Sequence, residues 1–224
     1  MYFADIKSVK ETDEGTDLTI HVPNEFIQSK IIRYRTHVAE VSINDGRTIT
    51  PEQRKKIYAT LKDISLYTGD EPEYLKEFLK FDYCGESGED YFSLSDCSVE
   101  TARKFINHLI EFVIKSGIPL TDLAVNRTDD IDKYLYYCLK HRVCAISGKP
   151  NADIHHCEGS RVGIGSNRRE ISNKGRELIA LSREWHTRVH NEGEERIFKL
   201  YKVYGITLDD ITLKELNLSD KDIS

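Results

Sequence analysis

Two pairs of histidines constrain this chain more than any other feature. His155 and His156 form a doublet in "ADIHHCEG", and His186 and His190 stand four residues apart in "SREWHTRVH". Residues four apart stack along one face of a helix, while a doublet can aim its two rings in different directions. For the pairs to act together, the chain must bring a strand end back against a helix, and the order of residues 143–191 allows this. "ADIHH" reads as a short strand and "EGSRVGIGSNRREISNKG" as a glycine-punctuated basic loop. "ELIAL" reads as a second strand, and Ser182 is placed to cap a helix carrying His186 and His190.

Several imidazoles can surround one divalent metal and leave another as a base. A neutral imidazole with an ordinary pKa of ~6.5 is usable for that near neutral pH. Such a kit suits hydrolysis of a phosphodiester, and the N-terminus of the histidine helix offers N–H groups and a positive dipole to a phosphate. The HxxxH step does not indicate a zinc protease, because Thr187 stands where that motif needs glutamate. Net charge is −6, which by itself argues against a general nucleic-acid binder. Its distribution points the other way: residues 140–190 hold ten Lys/Arg and five Asp/Glu, +5 against −11 for the rest. Arg161, Arg168, Arg169, Lys174 and Arg176 are candidates to hold a DNA backbone, with Gly163 and Gly165 allowing close approach. The same residues also read as a solvated charged loop.

The remainder bounds the architecture. No stretch approaches the ~18 apolar residues of a membrane helix, and "MYFADIKSVKETDEG" does not read as a secretory signal. Five scattered cysteines fit reduced thiols and a cytoplasmic location. Residues 1–50 look β-rich: "TDLTIHVP" alternates, and "HVAEVSINDGRTIT" has a turn signal at Asn44-Asp45-Gly46. Helices follow. Thr50, Pro51 and Gln53 form a start signal, Ile57, Leu61 and Ile64 an apolar face, and Gly69 a stop. A shorter amphipathic piece carries Leu75, Phe78 and Leu79. A stronger helix runs from Ser98 to about Gly117 with Ala102, Phe105, Ile106, Leu109 and Val113 inward. "SGIPLTDLAVNRTDD" reads as a linker, and Thr128 as the cap of a helix with Ile131, Leu135 and Leu139 on one face. The tail predicts a helix around Ile197, Leu200, Tyr201 and Tyr204, stopped by Gly205, and a short one near "LKELNL". The expectation is an α+β chain of two domains: residues 1–125, a β-hairpin and helical unit, and residues 126–224, a ββα finger flanked by helices.

"IHH", the small-polar loop and "L-S-R-E-W-H-x-x-x-H" together resemble the HNH (ββα-metal) endonuclease family over about residues 140–191, closest to the type found in phage recombination clusters. The preceding chain, especially "RTITPEQRKKIYATLKDISLYTG", is similar to phage Orf/NinB-type recombination mediators, which bind single-stranded DNA. The resemblance implies a metal-dependent DNA endonuclease with His155, His186 and His190 as metal ligands and His156 as the general base that deprotonates the attacking water. His190 has a second implied role, contact with the scissile phosphate. The middle asparagine of the HNH pattern is assigned to Asn173, although Glu177 occupies the corresponding spacing and Asn167 lies earlier in the loop. Imidazole ligands favour Mn²⁺, Ni²⁺, Zn²⁺ or Co²⁺ over Mg²⁺.

One departure from the family concerns a second, structural zinc held by two CxxC-like knuckles. Here Cys144 is followed by Ser147, and Ser182 by Trp185. Structural zinc needs four thiolate or imidazole corners, so no structural zinc is expected, with Cys144 a buried thiol and Trp185 packed in the vacated space. Cys157 matches no ligand spacing and reads as a core or loop cysteine. The implied partners are DNA, single-stranded or branched, with a single-strand-binding or recombinase protein and a homodimer as further candidates, and no membrane. The rival reading is a non-catalytic single-stranded-DNA-binding accessory that keeps a decayed nuclease fold.

Overall fold

The computed structural model describes residues 5–22, 46–157 and 173–218. It is an α+β structure, a set of packed helices joined to a small antiparallel sheet. The N-terminal hairpin pairs β1 (Asp5–Thr12) with β2 (Gly15–His21), and every residue of both strands is exposed. The alternation in "TDLTIHVP" therefore does not mark a face buried among the described residues. Most of "HVAEVSINDGRTIT" lies outside them.

Helix α1 (Pro51–Thr68) starts as its sequence dictates. Thr50 Oγ1 accepts from the Gln53 N–H, the Gln53 side chain accepts from the Thr50 N–H, and Gly69 closes the helix at φ 84°. Such a cap contributes about 0.5–2 kcal/mol. Helix α2 (Pro72–Ser87) buries Leu75 and Leu79 but turns Phe78 outward. Helix α3 (Val99–Ser116), capped by Ser98 and ended by Gly117, buries Ala102, Phe105, Ile106, Leu109 and Val113 against α1 and the following helices.

The stretch read as a linker is tied down instead. It contains a short helix α4 (Ala124–Arg127), and the buried Asp63 of α1 holds it. Asp63 accepts from the Thr121 N–H and hydroxyl and from Arg127 Nη2 at 3.3 Å. A carboxylate taken out of water must be matched by donors, so this segment packs where glycine and proline alone predicted a break. The next helix, α5 (Ile131–His141), is capped by Asp130 rather than Thr128. Asp130 Oδ1 accepts from the Lys133 N–H, and the Thr128 hydroxyl only braces Asp130.

Helix α5 packs on both α3 and the second sheet. That sheet orders β3 (Asp153–His156), β4 (Glu177–Leu181) and β5 (Ile206–Thr207), all antiparallel, with His155 opposite Ile179 and His156 opposite Leu178. Leu178 to Leu181 are all buried, which is why "ELIAL" is a continuous apolar run. The core runs without interruption from α1 through α5 into this sheet.

Three further helices follow among the described residues: α6 (Arg183–Glu192), α7 (Glu194–Tyr201) and α8 (Asp210–Glu215). Helix α7 stops at Lys202, in the left-handed region at φ 55°, so Tyr204 lies beyond it and Gly205 is not its cap. Gly205 is required for another reason. A Cβ there would lie 2.3 Å from Cys157 Sγ and 2.9 Å from Glu177 Cβ. All five cysteines are unpaired. Among the described residues no helix is long and apolar enough to cross a membrane.

Candidate functional site

The sheet and α6 bring the histidines together. Strand alternation turns the neighbours of the doublet to opposite sides: His155 is 1% exposed, and His156 is half-buried. Ser182 takes up the Trp185 N–H and starts α6 directly after β4, so His186 and His190 project from one helical face toward the end of β3. The ring centroids of His155, His186 and His190 form a near-equilateral triangle, with separations of 4.9, 5.1 and 4.8 Å. One ring nitrogen from each lies within 4.8 Å of those of the other two. Burial deepens from exposed His190 through His186 to His155, so the cluster opens on one side. Burial, then the neighbouring His155 and His190 rings, pulls the His186 imidazole down to about 4. A neutral imidazole is the form that ligates a cation.

His156 faces a different partner. Its Nε2 lies 2.7 Å from Asn173 Oδ1, and Asn173 Nδ2 donates to the Leu218 carbonyl at 2.7 Å. The bond to Leu218 defines which end of the amide is nitrogen. The oxygen therefore accepts from Nε2–H, and Nδ1 of His156 carries the lone pair. Lys174 and Arg176 follow in the same turn, closed by the Arg176 N–H on the Asn173 carbonyl. Lys174 is exposed and pairs with Asp210 of α8 at 2.6 Å, while Arg176 is half-buried. Arg161, Arg168 and Arg169 lie outside the described residues.

Two buried residues near His155 escaped the sequence reading. Glu194, the first residue of α7, places Oε2 3.0 Å from His155 Nε2. Cys157, dismissed on spacing, has its Sγ within 4.8 Å of a ring nitrogen of His155 and a carboxylate oxygen of Glu194. Spacing along a chain is not distance in space, and the turn at Gly193 that delivers Glu194 has no signature beyond its glycine. Burial, with Glu194 and Glu177 nearby, pushes the Cys157 thiol up to about 12. The two groups of possible metal ligands among the described residues, His155–His186–His190 and His155–Cys157–Glu194, do not include Cys144. Cys144 is fully buried and accepts from the Ser147 N–H at 3.4 Å, holding a knuckle-shaped turn. Trp185 packs edge-on against Tyr201 with the Arg188 guanidinium 4.3 Å above its ring.

Two antiparallel strands and the helix that follows them thus gather three imidazoles at one point, with a fourth histidine beside them hydrogen-bonded to an amide. The family model described as "Putative HNHc nuclease" matches residues 22–218, and the chain belongs to this HNH nuclease family. No curated protein and no solved structure matches it.

Proposed function

We propose that this protein is a metal-dependent DNA endonuclease that hydrolyses phosphodiester bonds with His156 as general base. The observation that carries the reading is the division of labour among four histidines: three that each place a ring nitrogen within 4.8 Å of the others', and a fourth turned to Asn173. His155, His186 and His190 would hold one divalent ion, Mn²⁺, Ni²⁺, Zn²⁺, Co²⁺ or Mg²⁺. Their donors are close enough for ring rotation to bring them onto it, and exposed His190 marks the side open to substrate. Bound there, the ion would neutralise the scissile phosphate and stabilise the leaving oxygen.

The protein's own groups do the rest. Asn173 Oδ1 accepts a hydrogen bond from the Nε2–H of His156 and fixes the ring, so that Nδ1 takes the proton from the attacking water. Lys174 and Arg176, with Arg161, Arg168 and Arg169, would bind the strand through its phosphates. Contacts of this kind carry no base sequence; single-stranded or branched DNA is the substrate this reading expects. In this reading residues 126–224 carry the nuclease site and share one core with the helices before them. Residues 1–125 form a mediator-like unit that binds DNA or a recombination partner, as in phage DNA processing in a host cytoplasm.

The test is cleavage of circular single-stranded DNA and nicking of supercoiled plasmid in Mn²⁺ by wild type and His156→Ala. His156→Ala should be about 10²–10⁴-fold slower. Equal rates would remove His156 as the base. A wild type inert with all five metals, yet retaining single strands on a filter, would favour the accessory-protein reading.

A further inference from the structure

The geometry points to Glu194 as the positioning residue of the metal site: it holds His155 in the Nε2–H tautomer and thereby presents Nδ1 to the cation. The inference rests on the three-histidine reading of the site and adds a residue to it.

His155 and Glu194 are 1% and 7% exposed and lie 3.0 Å apart, Nε2 to Oε2. A carboxylate is acceptor-only, and a neutral imidazole donates from one nitrogen and accepts at the other. With Nε2–H on Glu194, the lone pair of His155 stands at Nδ1. Carboxylates that accept the distal N–H of a ligating imidazole orient the ring and raise its basicity. The position of Glu194 is well suited to this. Gly193, at φ 93°, breaks the chain between α6 and α7, and Glu194 begins the new helix. There the helix dipole favours a negative charge that burial would otherwise penalise. The same break lets α7 fold back so that its first residue reaches His155.

Cys157 supplies the competing arrangement, an ion held among His155, Cys157 and Glu194. All three residues are buried. An ion there would displace the His155–Glu194 bond and would have no open position for a phosphate. The Nε2 of His155 that donates to Glu194 cannot also ligate a cation, so a single ion must choose between the trios. The trio that opens to solvent leaves Glu194 as the outer partner.

The experiment uses the full chain as wild type, Glu194→Ala, Glu194→Gln and Cys157→Ser, titrated with Co²⁺ by calorimetry and visible absorption. Metal-free protein with ¹⁵N-labelled histidine is examined alongside by NMR. Glu194→Ala should weaken Co²⁺ binding about 10–100-fold, and Glu194→Gln should recover most of that, because its amide oxygen still accepts from Nε2–H. Cys157→Ser should bind like wild type, with no thiolate-to-cobalt band to lose. The His155 ring should show the Nε2-protonated tautomer in wild type. A merely structural Glu194 would shift thermal stability and leave affinity and tautomer alone.

Three results would overturn the assignment: unchanged affinity in Glu194→Ala, an Nδ1-protonated His155 in wild type, or a thiolate–cobalt band that Cys157→Ser abolishes. The wild-type tautomer is read without any substitution, so a Glu194→Ala chain that fails to fold still leaves a decisive measurement. Wild type that binds no Co²⁺ overturns the metal-site reading together with this inference. Wild type that binds, with Glu194→Ala binding equally well, overturns only the role of Glu194.

Discussion

Replacing Gly205 by alanine puts a single methyl group where the structure has no room for one. The new Cβ would meet Cys157 Sγ at 2.3 Å, Glu177 Cβ at 2.9 Å and Cys157 Cβ at 3.3 Å. Comfortable carbon contacts fall near 3.5–4.0 Å, so two chain segments must separate by about an ångström. Both clashing residues lie at one end of the β3–β4 pair, where the Cys157 N–H donates to the Glu177 carbonyl at 3.0 Å. Cys157 directly follows the histidine doublet, so the displacement reaches His156 through one peptide bond. Gly205 does not occupy the left-handed region, and alanine there carries no backbone penalty. The loss is therefore one of overpacking, typically about 1–3 kcal/mol. For a chain of this size that is a fall in Tm of roughly 2–12 °C. Thermal melts of Gly205→Ala, Cys157→Ala and the double variant read it directly. Removing Sγ takes away the worst contact but not the one with Glu177, so the double variant should recover part of the loss. A Gly205→Ala protein that melts at or above the wild-type temperature, or a double variant no better than the sum of the singles, would refute the packing argument.

Three other perturbations probe separate links. Asn173→Ala should slow plasmid nicking roughly 10–100-fold through kcat, and Asn173→Asp should keep more activity because its carboxylate still accepts from His156 Nε2–H; equal rates for all three proteins would remove Asn173 from the site. Asp63→Ala strips the buried Arg127 and the exposed Thr121 of a shared acceptor and should cost about 3–5 kcal/mol in urea unfolding, against well under 1 kcal/mol if the segment around Thr121 were a loose linker. Burial pushes the Glu111 carboxyl up, but Lys140 at 2.6 Å and His141 at 3.2 Å outweigh it and hold it below 4.5. A depressed folded-state pKa gives stability that is present above the unfolded value and lost as pH falls through the folded one. Wild type should therefore lose stability between about pH 5 and pH 3 more steeply than Glu111→Gln, as followed by urea midpoints; parallel curves would show that this pair does not couple α3 to α5.

Local signals were legible wherever the physics was local. Thr50, Pro51 and Gln53 announce α1, Ser98 and Gly117 bound α3, and Ser182 starts α6, because caps satisfy orphan N–H groups within a few residues of themselves. The apolar run 178–181 and the step from His186 to His190 likewise contain their own periodicity. Where two local signals competed, sequence alone chose badly. Thr128 and Asp130 are both good caps, and Asp130 takes the N–H of Lys133. Gly205 carried a helix-stop signal, yet Lys202 ends α7.

By itself, then, the chain's sequence determined the helices, the strands that carry the histidines and the kinds of donor that could gather at one point. Those follow from spacing, capping and the chemistry of imidazole. Only the tertiary structure decided that the rings of His155, His186 and His190 share one triangle, that Asn173 rather than Glu177 meets His156, and that Glu194 and Cys157 back the site. It also decided that Asp63 ties down the supposed linker and that Gly205 exists for close packing. The reason is common to all of these. A contact between residues far apart in the chain depends on how whole elements dock, and no local pattern of residues encodes the distance between two surfaces that meet only after folding.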